Sequence, residues 1–277
     1  MGDNLMPIGP FESSLLLLLA KNRNPESHVA GASVLNQSPE SPRSSQDIDL
    51  FHDTLSALDE AMEKDVQVLR EAGCEVTLSK TLETFRRAEV RKNENRTRIE
   101  WAVDSAFRFF PTQPDPLFGY RLSIWDAATN KVLAAAGRNV IRDYVDLLYL
   151  HEHTLSLGAL VWAAAAKDAG LSPGFILEEM QRIQKYTASD YASLHLNIPV
   201  DPVALKKNWL QALVDAQHLF DAILNDEAPY GCFFLDAQGT PQTPTIKTLP
   251  HLKPHYGSVR GCWPRIADGE PGIGRQG

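Results

Sequence analysis

The stretch SSQDIDLFHD, residues 44–53, sets two aspartates two positions apart inside an apolar run. Side chains at i and i+2 of a β-strand project to the same face, so a strand over 46–51 carries Asp47 and Asp49 on one side and Ile48 and Leu50 on the other. Two carboxylates on one face repel each other unless positive charge lies between them. A hard divalent cation such as Mg²⁺, commonly held by one or two carboxylates together with substrate phosphates, supplies that charge. A solvated strand edge also accounts for an isolated D-x-D, so the surrounding chain has to decide.

Upstream, HVAGASVLN (28–36) reads as a short strand, a glycine, small residues and a helical start. A helix N-terminus offers unpaired N–H groups and the positive end of the dipole, so phosphate can sit against Gly31 and Ser33. An ordinary tight turn capped by Ser33 is the alternative. The Ser- and Pro-rich NQSPESPRSSQ then forms a loop into the D-x-D strand. Downstream, Leu55, Leu58, Met62, Val66 and Leu69 recur at steps of three and four, predicting an amphipathic helix that Gly73 ends. Strands follow over 74–79, 83–91 and 96–104, the last two joined at KNEN. In RTRIEWAVDS, Ile99, Trp101 and Val103 alternate with Arg98, Glu100 and Asp104. A third carboxylate, Glu100 or Asp104, can therefore face the aspartate pair; alternatively Glu100 pairs with Arg98 or Arg96.

After FFPTQPDP the pattern turns helical, over 123–137, 142–151, 156–168, 173–186 and 202–225, following an N-terminal helix at 11–22 that Asn24-Pro25 stops. In the 126–150 segment Lys131 and Arg138 share one helical face, and Asp143 and Asp146 share another. Lys131 can act as a point charge toward phosphate with Asp143 or Asp146 orienting it, or the group forms an interhelix ion-pair network. Beyond 226 turns dominate around one short strand, GCFFLD, and the end after 264 is Pro- and Gly-rich.

With 277 residues, 43% of them hydrophobic, the chain has enough apolar material for a large folded core. A net charge of −8 means that any nucleic acid is held by a local basic patch rather than by the overall field. Cys74, Cys232 and Cys262 are odd in number and lack CxxC spacing, which argues against a disulfide framework or zinc site and fits a reducing cytoplasm. The apolar run 15–20 is too short to span a membrane and lacks the flanks of a signal peptide. His28, His52, His151 and His153 have no ligand spacing, and no chemistry is assigned to them.

In this order, HVAGASVLN, SPRSSQDIDLFHD, RIEWAVDSAFRFFP and ATNKVLAAAGRNVIRDYVDLLYLHE resemble the AbiEii/AbiGii-type nucleotidyltransferase toxins of the DNA polymerase β-like superfamily, over roughly residues 11–235. The resemblance implies an α+β fold: a nucleotidyltransferase mixed sheet of about five strands with flanking helices (1–122), a helical domain (123–226) and a short strand with an irregular tail (227–277). It implies Asp47, Asp49 and Glu100 as ligands of two Mg²⁺ ions, or of Mn²⁺ in their place. Lys131 and Asp146 are implied as further catalytic positions, and Gly31, Ser33, Arg43, Lys131 and Asp143 as nucleotide-binding ones. Ala32 stands where the family turn usually has a second glycine, which is costly only if that residue needs a positive φ.

The activity so implied moves a nucleoside monophosphate from an NTP to an acceptor hydroxyl, with tRNA as a candidate acceptor and a cognate antitoxin as a protein partner. Lys80, Arg86, Arg87, Arg91, Lys92, Arg96 and Arg98 can follow an RNA backbone, or form a solvated hairpin with the interspersed glutamates. Two other readings remain open at this point: an NTP- or protein-binding module on the same scaffold with little turnover, and a D-x-D glycosyltransferase.

Overall fold

The computed structural model describes residues 8–45, 47–138, 140–182, 186–192, 194–197, 199–224 and 230–264. It is a mixed α+β structure that divides into two compact units. One runs through Ala106 and adds Pro111–Ala127 and residues 195–198; the other holds Phe107–Phe110, Ala128–Leu194 and the chain from Pro199 onward.

In chain order the first unit contains α1 (Pro10–Leu19), β1 (Ser27–Val29), α2 (Gly31–Leu35), β2 (Asp47–His52), α3 (Leu55–Glu71), β3 (Glu75–Leu82), β4 (Phe85–Lys92) and β5 (Asn95–Val103). After β6 (Phe107–Arg108), which belongs to the other unit, come β7 (Gln113–Asp115) and β8 (Gly119–Arg121). The seven strands of the first unit form one sheet in the order β3-β4-β5-β2-β1-β8-β7. At its centre β2 runs parallel to β5 and antiparallel to β1.

One face of this sheet is sealed. Ile48, Leu50, Ile99, Trp101, Ala88 and Val90 are fully buried, and α1 and α3 pack against β2 and β5. Thr54 caps α3, its hydroxyl accepting the amide of Ala57 at 3.1 Å. The buried stripe of α3 is Leu58, Ala61, Asp65 and Leu69, not the purely apolar stripe that the periodicity predicts. Asp65 is tolerated inside because Arg23 sits on both its oxygens at 2.6 Å, while Trp101 Nε1 and Asn22 Nδ2 each donate to it at 2.8 Å.

The sheet has seven strands where about five were expected. The added β7–β8 hairpin lies in a segment whose prolines read as a break; Pro114 is accommodated because β7 is an edge strand, where a missing N–H breaks no inner ladder. Gly119 takes φ +73° within reach of the Ala20 carbonyl, a place without room for a β-carbon.

The second unit is built on α4 (Ile124–Arg138), which begins in the first, followed by α5 (Ile141–His153), α6 (Leu157–Ala164), α7 (Pro173–Gln181), α8 (Ala188–Ala192) and α9 (Pro202–Leu224). Helix α6 is buried on all sides and packs on α9, with Gly158 against Ala216. Residues 183–185, within the helix expected over 173–186, lie outside the described residues, as does the tail beyond 264. The C-terminal segment is more regular than one short strand: β9 (Cys232–Leu235) is the centre of a three-stranded sheet between β10 (Pro241–Gln242) and β11 (Lys253–Tyr256), and β12 (Ser258–Val259) pairs with β6. Its strands are short and its pairings distant, so no local period announces them. No helix among the described residues is long and apolar enough to cross a membrane.

Candidate active site

Burial alternates along β2, with Ile48, Leu50 and His52 inside and Asp47, Asp49 and Phe51 partly exposed. The parallel register sets Asp47 opposite Arg98 and Asp49 opposite Glu100, so these four side chains share the face away from α1 and α3. Of the two candidates for a third carboxylate, Glu100 is the one beside Asp49. Asp104 lies beyond the ladder, its amide donating to the His52 carbonyl at 3.0 Å.

The turn after β1 closes on the same place. The Ala30 amide donates to the Asp49 carbonyl at 3.0 Å, and Gly31 then turns with φ +64°. A β-carbon at Gly31 would collide with Asp49 Oδ2, so the bend lies directly against the carboxylate only because residue 31 is glycine. Ala32 is already helical and has no positive φ, so its methyl group costs nothing. Ser33 is buried, and its hydroxyl lies 3.3 Å from both the Asp47 carbonyl and Ser45 Oγ; it ties the turn to β2. Arg43 is buried, with Nη1 3.5 Å from the Ser44 carbonyl. A clamp that no local sequence signal reveals holds this loop: Asn197 donates through its amide to Pro42 O at 2.9 Å and through Nδ2 to Ser41 O at 3.2 Å, and Leu196 bridges Arg43.

Asp47 and Glu100 each hold an arginine. Arg98 donates to both oxygens of Asp47 at 3.0 and 2.9 Å, and these bonds and the attraction of Asp47 raise the guanidinium above its ordinary pKa. Glu100 is paired not with Arg98 or Arg96 but with Arg87 across the β4–β5 ladder, at 2.8 and 2.7 Å. The other hairpin cations are largely engaged: Arg86 with Asp59 at 3.2 Å, Arg91 with Glu89 at 3.1 Å, and Lys92 with the Ala72 carbonyl at 2.8 Å.

The all-oxygen donor set suits Mg²⁺ or Mn²⁺, and an aspartate pair at i, i+2 matches the one or two carboxylates such ions take from protein. Among the described residues no group of three His, Cys, Asp or Glu forms a ready-made metal cage.

Lys131, Arg138, Asp143 and Asp146 come together in the second unit. Lys131 Nζ lies 2.9 Å from Asp143 Oδ1 and 2.9 Å from Asp146 Oδ2, and Arg138 adds two bonds to Asp143 at 2.8 and 2.9 Å. Both aspartates and the lysine are buried. Burial works to raise the Asp143 pKa, but hydrogen bonds and charge from Arg138 and Lys131 win and hold it below the usual carboxylate range.

No family model matches the sequence, and neither does any curated protein. Among solved structures the chain is similar to MenT4, a nucleotidyltransferase toxin from Mycobacterium tuberculosis H37Rv, with a TM-score of 0.53 and 16% identity over 75% of this chain and 82% of that one. It also resembles two Helicobacter pylori proteins, one provisionally described as a nucleotidyltransferase and the other JHP933. Their TM-scores are 0.46 each, at 16% and 15% identity, over 79% and 78% of this chain and 96% and 93% of theirs. The likeness to MenT4 makes the seven-stranded sheet with its flanking helices a nucleotidyltransferase fold.

Proposed function

We propose that this protein is a metal-dependent nucleotidyltransferase that moves a nucleoside monophosphate from an NTP to an acceptor hydroxyl, acting as a toxin of the AbiEii/AbiGii type. The observation that carries the reading is the closure of the Gly31 turn on Asp49, opposite Glu100. That arrangement puts a small-residue bend, where a triphosphate can approach backbone, against carboxylates that a divalent ion can share.

Asp47, Asp49 and Glu100 would hold Mg²⁺, with Mn²⁺ as a substitute; two such ions bound there would stabilise the attacking and leaving oxygens of the displacement. The chain's own residues do the rest. Gly31 keeps the bend free of side chain, Ser33 and Ser45 fix it to β2, and Arg43 is buried in the loop that leads into β2. Glu100, opposite Asp49 in the ladder, is the carboxylate that would help remove the acceptor proton. Asp143 and Asp146 hold the buried Lys131 ammonium in one position within the second unit. RNA, with tRNA as first candidate, is the proposed acceptor, and an antitoxin the proposed protein partner.

Induced expression in a bacterial host tests the toxin reading. Growth arrest that the Asp47→Ala change relieves at equal protein level supports it; unimpaired growth with the wild-type chain overturns it.

A further inference from the structure

The ion pairs on the open sheet face differ from the buried ones elsewhere in the chain. Arg23 and Asp65 have fully buried side chains, whereas Arg98 and Arg87 are 48% and 34% exposed. A half-exposed guanidinium can leave its carboxylate at small cost, because water replaces the lost bonds and the net strength of such pairs is low. Both arginines lie on the Asp49 face: Arg98 on β5 next to β2, and Arg87 one strand further, at about 5 Å per strand. Their planar forks, now turned to carboxylate, fit phosphate oxygens equally well.

Resting on the nucleotidyltransferase reading above, we propose that Arg98 and Arg87 are exchangeable counter-ions, which cover Asp47 and Glu100 in the ligand-free chain, yield them to the metal, and then bind the phosphates of the incoming triphosphate. The exchange gives each displaced guanidinium a new anionic partner in the phosphates. It also makes each arginine a competitor of the bare metal and a ligand of the metal–phosphate complex, two effects of opposite sign.

The test uses Mn²⁺ alone and Mn²⁺ with inorganic tripolyphosphate as probes, with binding followed by electron paramagnetic resonance and titration calorimetry on the full chain. Arg98→Met and Arg87→Met keep the aliphatic stem. Each is expected to tighten Mn²⁺ alone by roughly two- to fivefold, the strength of a half-exposed ion pair, and to weaken the tripolyphosphate complex by about tenfold, as a lost charge-assisted bond does. A purely structural role would move both affinities together or neither, and that result overturns the exchange. Asp49→Asn separates the two layers. If it abolishes Mn²⁺ binding while the arginine variants leave Mn²⁺ alone unchanged, the exchange fails and the metal site stands; if it binds Mn²⁺ like the wild type, the metal site fails and the exchange with it.

Discussion

Gly31 and Asp49 are in such close contact that the bend and the carboxylate occupy one place: a β-carbon on Gly31 would overlap Asp49 Oδ2, and the glycine holds φ +64°. Gly31→Ala therefore meets both a steric clash and the left-handed backbone penalty of about 1–2 kcal/mol. The expected result is a small loss in thermal stability and a fall in nucleotidyl transfer on the order of a hundredfold, since displacing a positioning group by an ångström has that effect. Ala32→Gly, by contrast, should leave activity near wild type, because Ala32 is helical.

The core of the first unit depends on the Arg23–Asp65 pair. Asp65→Ala leaves the Arg23 guanidinium buried without its partner carboxylate and strands the Trp101 Nε1 donor. Chemical denaturation should show a loss of about 3–5 kcal/mol. Replacing Arg23 and Asp65 together by Met and Leu should recover much of it, because the cost lies in the uncompensated charge.

His52 makes stability depend on pH. Its ring is buried at the end of β2, and neither nitrogen has a hydrogen-bond partner among the described residues. Burial first, and the positive Arg23 second, lower its pKa from 6.5 to about 3. The unfolded chain takes up this proton near pH 6.5 and the folded chain only near 3. The contribution is thus complete above about 6.5 and is lost as pH falls from there toward 3. Urea midpoints measured from pH 7 to 4 should fall with a slope approaching about 1.4 kcal/mol per pH unit from this group, and His52→Leu should remove that share of the slope.

In the second unit, Lys131→Met leaves Asp146 and part of Asp143 buried without their cation. A destabilisation of about 3–5 kcal/mol is expected by denaturant titration, less if Arg138 swings further over Asp143. Adding Asp143→Asn and Asp146→Asn should restore much of the stability, because the cost lies in the uncompensated buried charge.

The parts of this molecule that could be read from sequence are those written in local periodicity. The two-residue alternation put Asp47 and Asp49 on one face of β2 and set Glu100 apart from the apolar residues of β5, and the three-and-four spacing of α3 with Gly73 marked that helix. What escaped is set by distant partners. Asp65 interrupts the apolar stripe of α3 and makes sense only with Arg23, 42 residues away. Strand β8 joins the central sheet through its pairing with β1, at Val29 and Arg121, and the loop before the D-x-D is clamped by Asn197. The choice between Glu100 and Asp104 likewise needed the register of the ladder, because a strand read over 96–104 sends both side chains the same way.

Incubating the purified chain with each labelled NTP, Mg²⁺ and total RNA, beside the Asp49→Asn variant, tests the central claim most directly. Label should pass from one or more of the NTPs into RNA with the wild-type chain and fail to do so with Asp49→Asn, a replacement of the same shape without the charge, checked for native folding by thermal melting. Transfer that is absent with every NTP, or equal in the variant, would contradict a nucleotidyltransferase centred on this carboxylate.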